Sequence, residues 1–245
     1  MRICIAQTKP IKGEIIANID NHKKMIDVAI LNNADIIVFP ELSLTGYEPE
    51  LVKELATNQD NNILDDFQKI SDTNKIIICV GLPTNGDKGI LISMIIFQPN
   101  AYRQTYSKQH LHPGEETIFT VGHDQIFLTK GNNKIAPAIC YETSVAEHSE
   151  YAFKNGANIY IASVLNSINS VDKDIERLSQ IAKKYKMTTF MSNFVGQSGN
   201  YECAGKSSIW NNEGVLIGQL DDKEEGILIY DTETMNVNEE KINCH

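Results

Sequence analysis

The stretch NKIAPAICYETSVAEHSEYAFKNGANIYIAS, residues 133–163, reads in order as strand, thiol, helix and strand. Its apolar run 133–139 predicts a buried strand, and the run from Asn158 to Ser163 predicts another. Between them Ser144 and Glu147 have the S-x-x-E spacing of a capping box, which predicts a helix over 144–155. Cys140 therefore stands in a strand-to-helix turn. Backbone N–H groups left free at such a start favour a thiolate and can receive an oxyanion, which makes Cys140 the leading nucleophile candidate.

Working outward, the same alternation recurs. Residues 2–7 read as a buried strand and 14–32 as a helix with Ile15, Ile19, Met25, Ile26 and Ala29 near a period of 3.6. Asp35 to Phe39 is a second apolar strand. Segments 75–82 and 90–97 flank Thr84-Asn85-Gly86-Asp87, where Asn-Gly predicts the positive φ angles of a tight antiparallel reversal. Residues 102–107 form a further strand, and 171–186 is the best helix, with Val171, Ile175, Leu178, Ala182 and Tyr185 on one face. Strands follow at 188–193, 206–210, 215–220 and 226–230, with a turn at Asn211-Asn212-Glu213-Gly214; the last 15 residues are polar and expected to be extended. Helices covering one side of a sheet whose other side packs on a second sheet give an α/β, four-layer α-β-β-α sandwich. No repeat or linker interrupts the chain, so a single domain over residues 1–245 is expected.

Composition closes off other classes. With 42% hydrophobic and 22% charged residues, 15 glycines and 7 prolines, the chain is neither low-complexity nor disordered throughout. Its longest apolar runs, Ile90 to Phe97 and Ile76 to Val80, fall well short of the roughly 20 residues of a membrane-spanning helix. The N-terminus lacks the long apolar core and cleavage site of a secretion signal, so the cytosol is the expected compartment. Five scattered cysteines, Cys4, Cys79, Cys140, Cys203 and Cys244, suit free thiols better than a disulfide frame. A formal charge of -10, with no basic tract interleaved with aromatics, argues against nucleic acid as a partner.

Two further strand ends carry chemistry. Glu41, in Phe39-Pro40-Glu41-Leu42, follows an apolar strand, where desolvation would raise its proton affinity and suit it to general-base work. Lys108, in Tyr106-Ser107-Lys108-Gln109-His110, offers an ammonium for developing negative charge. Either residue alone is more often a solvated charge than a catalyst. Cys4 and Cys79 lie inside apolar strands and read as core residues, whereas Cys203, in the loop Gly199 to Gly205, competes with Cys140 but lacks a helix start.

Taken together, these motifs resemble those of the nitrilase superfamily of carbon-nitrogen hydrolases. Phe39-Pro40-Glu41-Leu42 with Thr45-Gly46-Tyr47 resembles its general-base motif, Tyr106-x-Lys108-x-His110-Leu111 its lysine motif, and Ile139-Cys140-Tyr141-Glu142 with Glu147 its nucleophile motif. The strand containing Ile3, Ala6 and Gln7 and the segment from Gly205 to Gly214 extend the resemblance along essentially the whole chain. Ser107 replaces an arginine common in the family, and Ala146 a proline. The resemblance implies the nitrilase-type sandwich, a Glu41-Lys108-Cys140 triad and a second glutamate, Glu115 or its neighbour Glu116. It also implies hydrolysis of a nonpeptide carbon-nitrogen bond through a Cys thioester, without metal or organic cofactor. A small-molecule amide substrate and a homodimer or higher homo-oligomer belong to the same expectation.

Tyr47, Tyr141 and Asn166 are candidate substrate contacts because they fall near the triad or just after a strand. No arginine falls in the loops expected to line the pocket, which disfavours a bidentate carboxylate grip. The stretch His110-Leu111-x-Pro113 resembles amidase members more than nitrilases. Two readings from other classes remain: a metal-assisted hydrolase using the His110/His112 loop, and a catalytically silent binding module on the same scaffold.

Overall fold

The computed structural model describes residues 1–242; Cys244 lies outside the described residues. In chain order the elements are β1 (Arg2–Gln7), α1 (Ile15–Leu31), β2 (Ile36–Val38), α2 (Val52–Leu55), α3 (Asp65–Asn74), β3 (Ile77–Gly86), β4 (Gly89–Phe97) and β5 (Gln104–Ser107). There follow β6 (Leu128–Lys130), β7 (Asn133–Ile139), α4 (Ala146–Lys154), β8 (Ile159–Ser163), α5 (Val171–Tyr185) and β9 (Thr188–Ser192). The chain continues through β10 (Val195–Ser198), β11 (Tyr201–Ala204), β12 (Ser208–Trp210), β13 (Leu216–Gln219), β14 (Gly226–Asp231) and β15 (Val237–Lys241).

One sheet has the order β15-β14-β1-β2-β3-β4-β5 and the other β13-β12-β9-β8-β7-β6, with β10 and β11 forming a separate hairpin. The centre of each sheet is parallel, β1-β2-β3 in the first and β7-β8-β9 in the second, and the flanking pairs are antiparallel. Period-two alternation sorts the side chains. Ile3, Ile5 and Val38 of the first sheet meet Ile139, Ile161 and Phe190 of the second in one apolar layer. The opposite face of the first sheet buries Cys4, Ile37 and Ile78 against Ile19, Met25 and Phe67 of α1 and α3. Ala138, Tyr160 and Met191 of the second pack against Ala152 of α4 and Leu178 and Ala182 of α5. The four layers are thus α-β-β-α, as the alternation of apolar faces predicts.

Polar pins cross the inner layer beneath the strand ends. Ser163 Oγ donates to Phe39 O at 2.8 Å, and Ser192 Oγ lies 2.6 Å from Ala6 O and 3.1 Å from Val38 O. They fix the end of β2 against the ends of β8 and β9, from which the functional loops spring.

Three local expectations are corrected. The capping box at Ser144 and Glu147 does not form: residues Cys140–Ser144 make a 3-10 turn, α4 starts at Ala146, and Ser144 Oγ donates to Tyr141 O at 2.6 Å. Glu142 is the cause, because its buried carboxylate folds back onto Ile139 N–H at 2.6 Å and tightens the chain before a regular helix can begin. The β3–β4 reversal falls on residues 87–88, not on Asn85-Gly86, which stay in the strand with Gly86 paired to Gly89. Cys203 sits in β11 and is buried at 3% exposure, since the glycine-flanked segment around it folds as a hairpin instead of a loose loop.

Candidate active site

Glu41 leaves β2 through Phe39-Pro40 and enters a tight turn in which Leu42 takes a positive φ of 54°. The turn lies directly on Gly81 of β3. A Cβ there would stand 2.3 Å from Leu42 N and 2.6 Å from Pro40 O, so the close approach requires glycine. Ser43 fastens the same turn, its Oγ accepting from Gly81 N–H at 3.1 Å and meeting His22 Nε2 at 2.9 Å. Burial holds His22 down to about 3, so the ring is neutral. Its Nδ1, 2.7 Å from Asn18 O, must then carry the proton, leaving Nε2 to accept from Ser43.

Lys108 follows β5 and has no exposed surface. Its Nζ donates to Glu41 Oε1 at 2.7 Å and to Glu115 Oε2 and Oε1 at 2.9 and 3.1 Å. Gly122 closes over the strand end, its N–H donating to Lys108 O at 2.7 Å where a Cβ would strike Ser107 O. Glu115 is buried and also accepts from His112 N–H at 2.8 Å and Tyr47 OH at 3.2 Å. Glu116 is exposed and turns back to Gly114 N–H, so Glu115 is the glutamate that faces the lysine.

Electrostatics sort these groups. Burial raises the Glu41 pKa, with the Glu115 charge adding and Lys108 opposing. Burial pulls Lys108 down, but Glu41, Cys140 and Glu115 outweigh it and leave its pKa raised, so the ammonium persists. By formal charge, two carboxylates face one ammonium in this buried group.

Cys140 follows β7 at a positive φ of 45°, an unusual conformation for a non-glycine residue, which turns the thiol out of the strand. Its Sγ lies 3.7 Å from Leu165 O, and the thiol helps to hold down the Glu41 pKa that burial raises. The expectation that a helix start favours the thiolate is corrected here. Burial first and the Glu41 charge second push the thiol well above its ordinary pKa, so it rests protonated and needs a base. Glu142, with no exposed surface, braces the turn: beyond Ile139 it accepts from Gln109 N–H at 2.5 Å and Tyr106 OH at 2.7 Å. One carboxylate therefore ties the neighbour of Lys108 to the neighbour of Cys140. His148 completes this network, meeting Tyr106 OH at 2.9 Å and Tyr160 OH at 2.8 Å. Sequence reading missed the brace because its members are distant in sequence and none is unusual alone.

These residues open onto a cavity of about 610 Å³ lined by Glu41, Tyr47, Glu115, Cys140, Tyr141 and Asn166 among others. Asn166 is 4% exposed; its N–H donates to Asn193 Oδ1 and its Nδ2 points to Met191 Sδ, commitments that fix the turn after β8. Tyr201 reaches the cavity from the β10–β11 hairpin and sits edge-on to Tyr47 at 6.0 Å. Arg177 also lines the cavity, together with Lys173, so the expectation of no arginine there is corrected: α5 points its first turns inward. His110 and His112 diverge, toward His148 and Tyr141 respectively, and among the described residues no group of three or more His, Cys, Asp or Glu is arranged to hold a metal ion. The four described cysteines are free thiols, and no helix of the described residues is long and apolar enough to cross a membrane.

Several known proteins are similar to this chain in sequence or fold. A glutamine-dependent NAD(+) synthetase of Acinetobacter baylyi is 24% identical over 89% of this chain, which spans only 41% of that protein's length. The protein called hydrolase in agr operon of Staphylococcus aureus is 25% identical over 98% of this chain and 92% of its own. Among solved structures, a variant of the amidase from Nesterenkonia sp. AN1 in complex with butyramide superposes with a TM-score of 0.83 at 21% identity, covering 94% of this chain and 89% of that one; this likeness is one of fold. The pattern of the carbon-nitrogen hydrolase family matches residues 2–239, nearly the whole sequence that builds the two sheets and the cavity between their strand ends, and the chain belongs to that family.

Proposed function

We propose that this protein is a thiol-dependent hydrolase of linear amides or N-carbamoyl compounds, giving an acid plus ammonia or an amine. The observation that carries the reading is the buried Lys108 ammonium held by Glu41 and Glu115, the two carboxylates that line one cavity together with Cys140. Glu41 takes the thiol proton as Sγ attacks the carbonyl carbon. The resulting oxyanion is received by Lys108 and by the Tyr141 N–H, which lies in the first turn after the nucleophile, where such groups have no intrahelical partner. Collapse breaks the carbon–nitrogen bond, and the leaving nitrogen takes the proton from Glu41. Water, deprotonated by the same carboxylate, then cleaves the thioester and restores the thiol.

Glu115 fixes Lys108 and bears on Glu41 through charge, while Tyr47 and Tyr141 line the acyl side. Asn166 shapes the wall through its backbone. Apart from that water, every step of this route draws on protein groups. The amide preference over nitriles rests on the His110-Leu111-x-Pro113 resemblance and on the butyramide held by the structural neighbour. The same reading takes residues 1–245 as one catalytic domain, acting in the cytosol as a homodimer or higher homo-oligomer. Tyr151 and Phe153 of α4, about half exposed, supply apolar surface for pairing; only monomer in sedimentation at micromolar concentration would contradict that part.

The test is ammonia release from aliphatic amides, omega-amides, N-carbamoyl compounds and nitriles by wild type and by Cys140→Ala. Turnover that vanishes in the variant supports the reading; equal activity in both proteins overturns it.

A further inference from the structure

The cavity extends past the triad to the first two turns of α5. Ser170, Lys173, Asp174 and Arg177 all line it, at the i, i+3, i+4, i+7 spacing of one helix face. The other stripe of the helix, Leu178, Ala182 and Tyr185, is committed to the core. What faces the cavity is therefore charged.

The three charges do not cancel. Arg177 Nη1 donates to Asp174 Oδ1, and no other hydrogen bond engages that guanidinium among the described residues. The pair is partly buried, with side-chain exposures of 25% and 15%, so Asp174 orients the fork without consuming it. Lys173 is exposed, and its ammonium makes no ion pair or hydrogen bond among the described residues, although its charge bears on Asp174. By formal charge, this end of the cavity carries two cations and one carboxylate, and the end around Lys108 one cation and two carboxylates. Ser167 also lines the cavity, its hydroxyl 3.3 Å from that of Ser170.

We infer that the amide substrate ends in a carboxylate: an omega-amide whose acid terminus is gripped by Arg177 and Lys173 while its neutral amide reaches Cys140. This rests on the amidase reading above and names its substrate class. The polarity of the cavity sets the orientation. A carboxylate driven toward the triad would face Glu41 and Glu115, whereas at α5 it meets a guanidinium with free N–H groups suited to a bidentate bond. Hydrolysis then creates a second carboxylate at the triad end, and its repulsion by Glu41 and Glu115 favours release.

The experiment compares kcat/KM for succinamic, glutaramic and adipamic acids with that for butyramide, valeramide and hexanamide. It uses wild type, Lys173→Ala and Arg177→Gln. Wild type should prefer the acid-tailed member of at least one pair by roughly tenfold or more. The variants should lose roughly ten- to a hundredfold more on the acid-tailed amide than on its neutral partner, mostly in KM, the size of one charge-assisted hydrogen bond. Lys173 is exposed, so its variant tests the idea even if Arg177→Gln folds poorly. Equal or better use of the neutral amides, or equal losses on both kinds, overturns the inference while Cys140-dependent turnover leaves the amidase reading standing. Calorimetric binding of the same three acids to Cys140→Ala separates the opposite case. Binding that weakens on adding Lys173→Ala supports the inference even if no amide is turned over, and no binding of any of them sinks it.

Discussion

A lysine with no exposed surface keeps its charge at position 108 because two carboxylates lie within hydrogen-bond distance of its Nζ. The cost of burying that ammonium is offset only while its partners remain, so the three residues stand or fall together. The thiol answers to the same field. Cys140 rests protonated, and catalysis by the proposed route depends on Glu41 taking its proton. Replacing Glu41 by Gln should lower kcat by about a hundredfold or more, the usual contribution of a positioned general base, as read by steady-state ammonia release. Cys140→Ala should abolish turnover yet shift the thermal midpoint by no more than a few degrees, about what a small packing change costs.

At the scale of elements, the site is assembled where segments press on one another. The Glu41 turn lies on Gly81 so closely that a methyl group has no room. Gly81→Ala should therefore destabilise the fold by about 1–3 kcal/mol, as overpacking does, and displace Glu41, lowering kcat as well. Urea unfolding and initial rates check the two parts. Glu142 joins the turn after β7 to the end of β5, and burial raises its pKa to about 7 from 4.5. A carboxyl that binds its proton more tightly folded than unfolded stabilises the fold fully below pH 4.5, and that contribution is lost as pH rises through about 7. The urea midpoint of wild type should consequently fall more between about pH 5 and pH 8 than that of Glu142→Gln. An equal fall in both proteins would assign the pH dependence to another group.

The whole molecule is held by the layer between its sheets. Phe190 has no exposed surface and stacks edge-on with Tyr230 across that layer at 5.9 Å. Phe190→Ala should cost about 3–5 kcal/mol, measured by chemical unfolding, because neither sheet can collapse into the cavity without disturbing the other. Beside this apolar contact, Ser163 and Ser192 bond across to the backbone of the first sheet near Phe39, which fixes the height of Glu41 relative to Cys140.

The sequence by itself determined the layered sandwich, since apolar periods of two and near four dictate which faces must be buried. It also marked Glu41, Lys108 and Cys140 as candidates, less by any one of them than by the ordered set of three motifs that resembles a known family. It left Glu115 and Glu116 undecided, misplaced the start of α4 and gave no sign of the β10–β11 hairpin. It hid Arg177 within an ordinary amphipathic helix. Those matters were decided by contacts between segments far apart in the chain: Lys108 selecting Glu115, Glu142 reaching Gln109, and α5 rotating its charged face into the cavity. Periodicity reports which face of an element is buried, but which polar groups meet across a cavity depends on the docking of whole layers, and only the tertiary structure contains that.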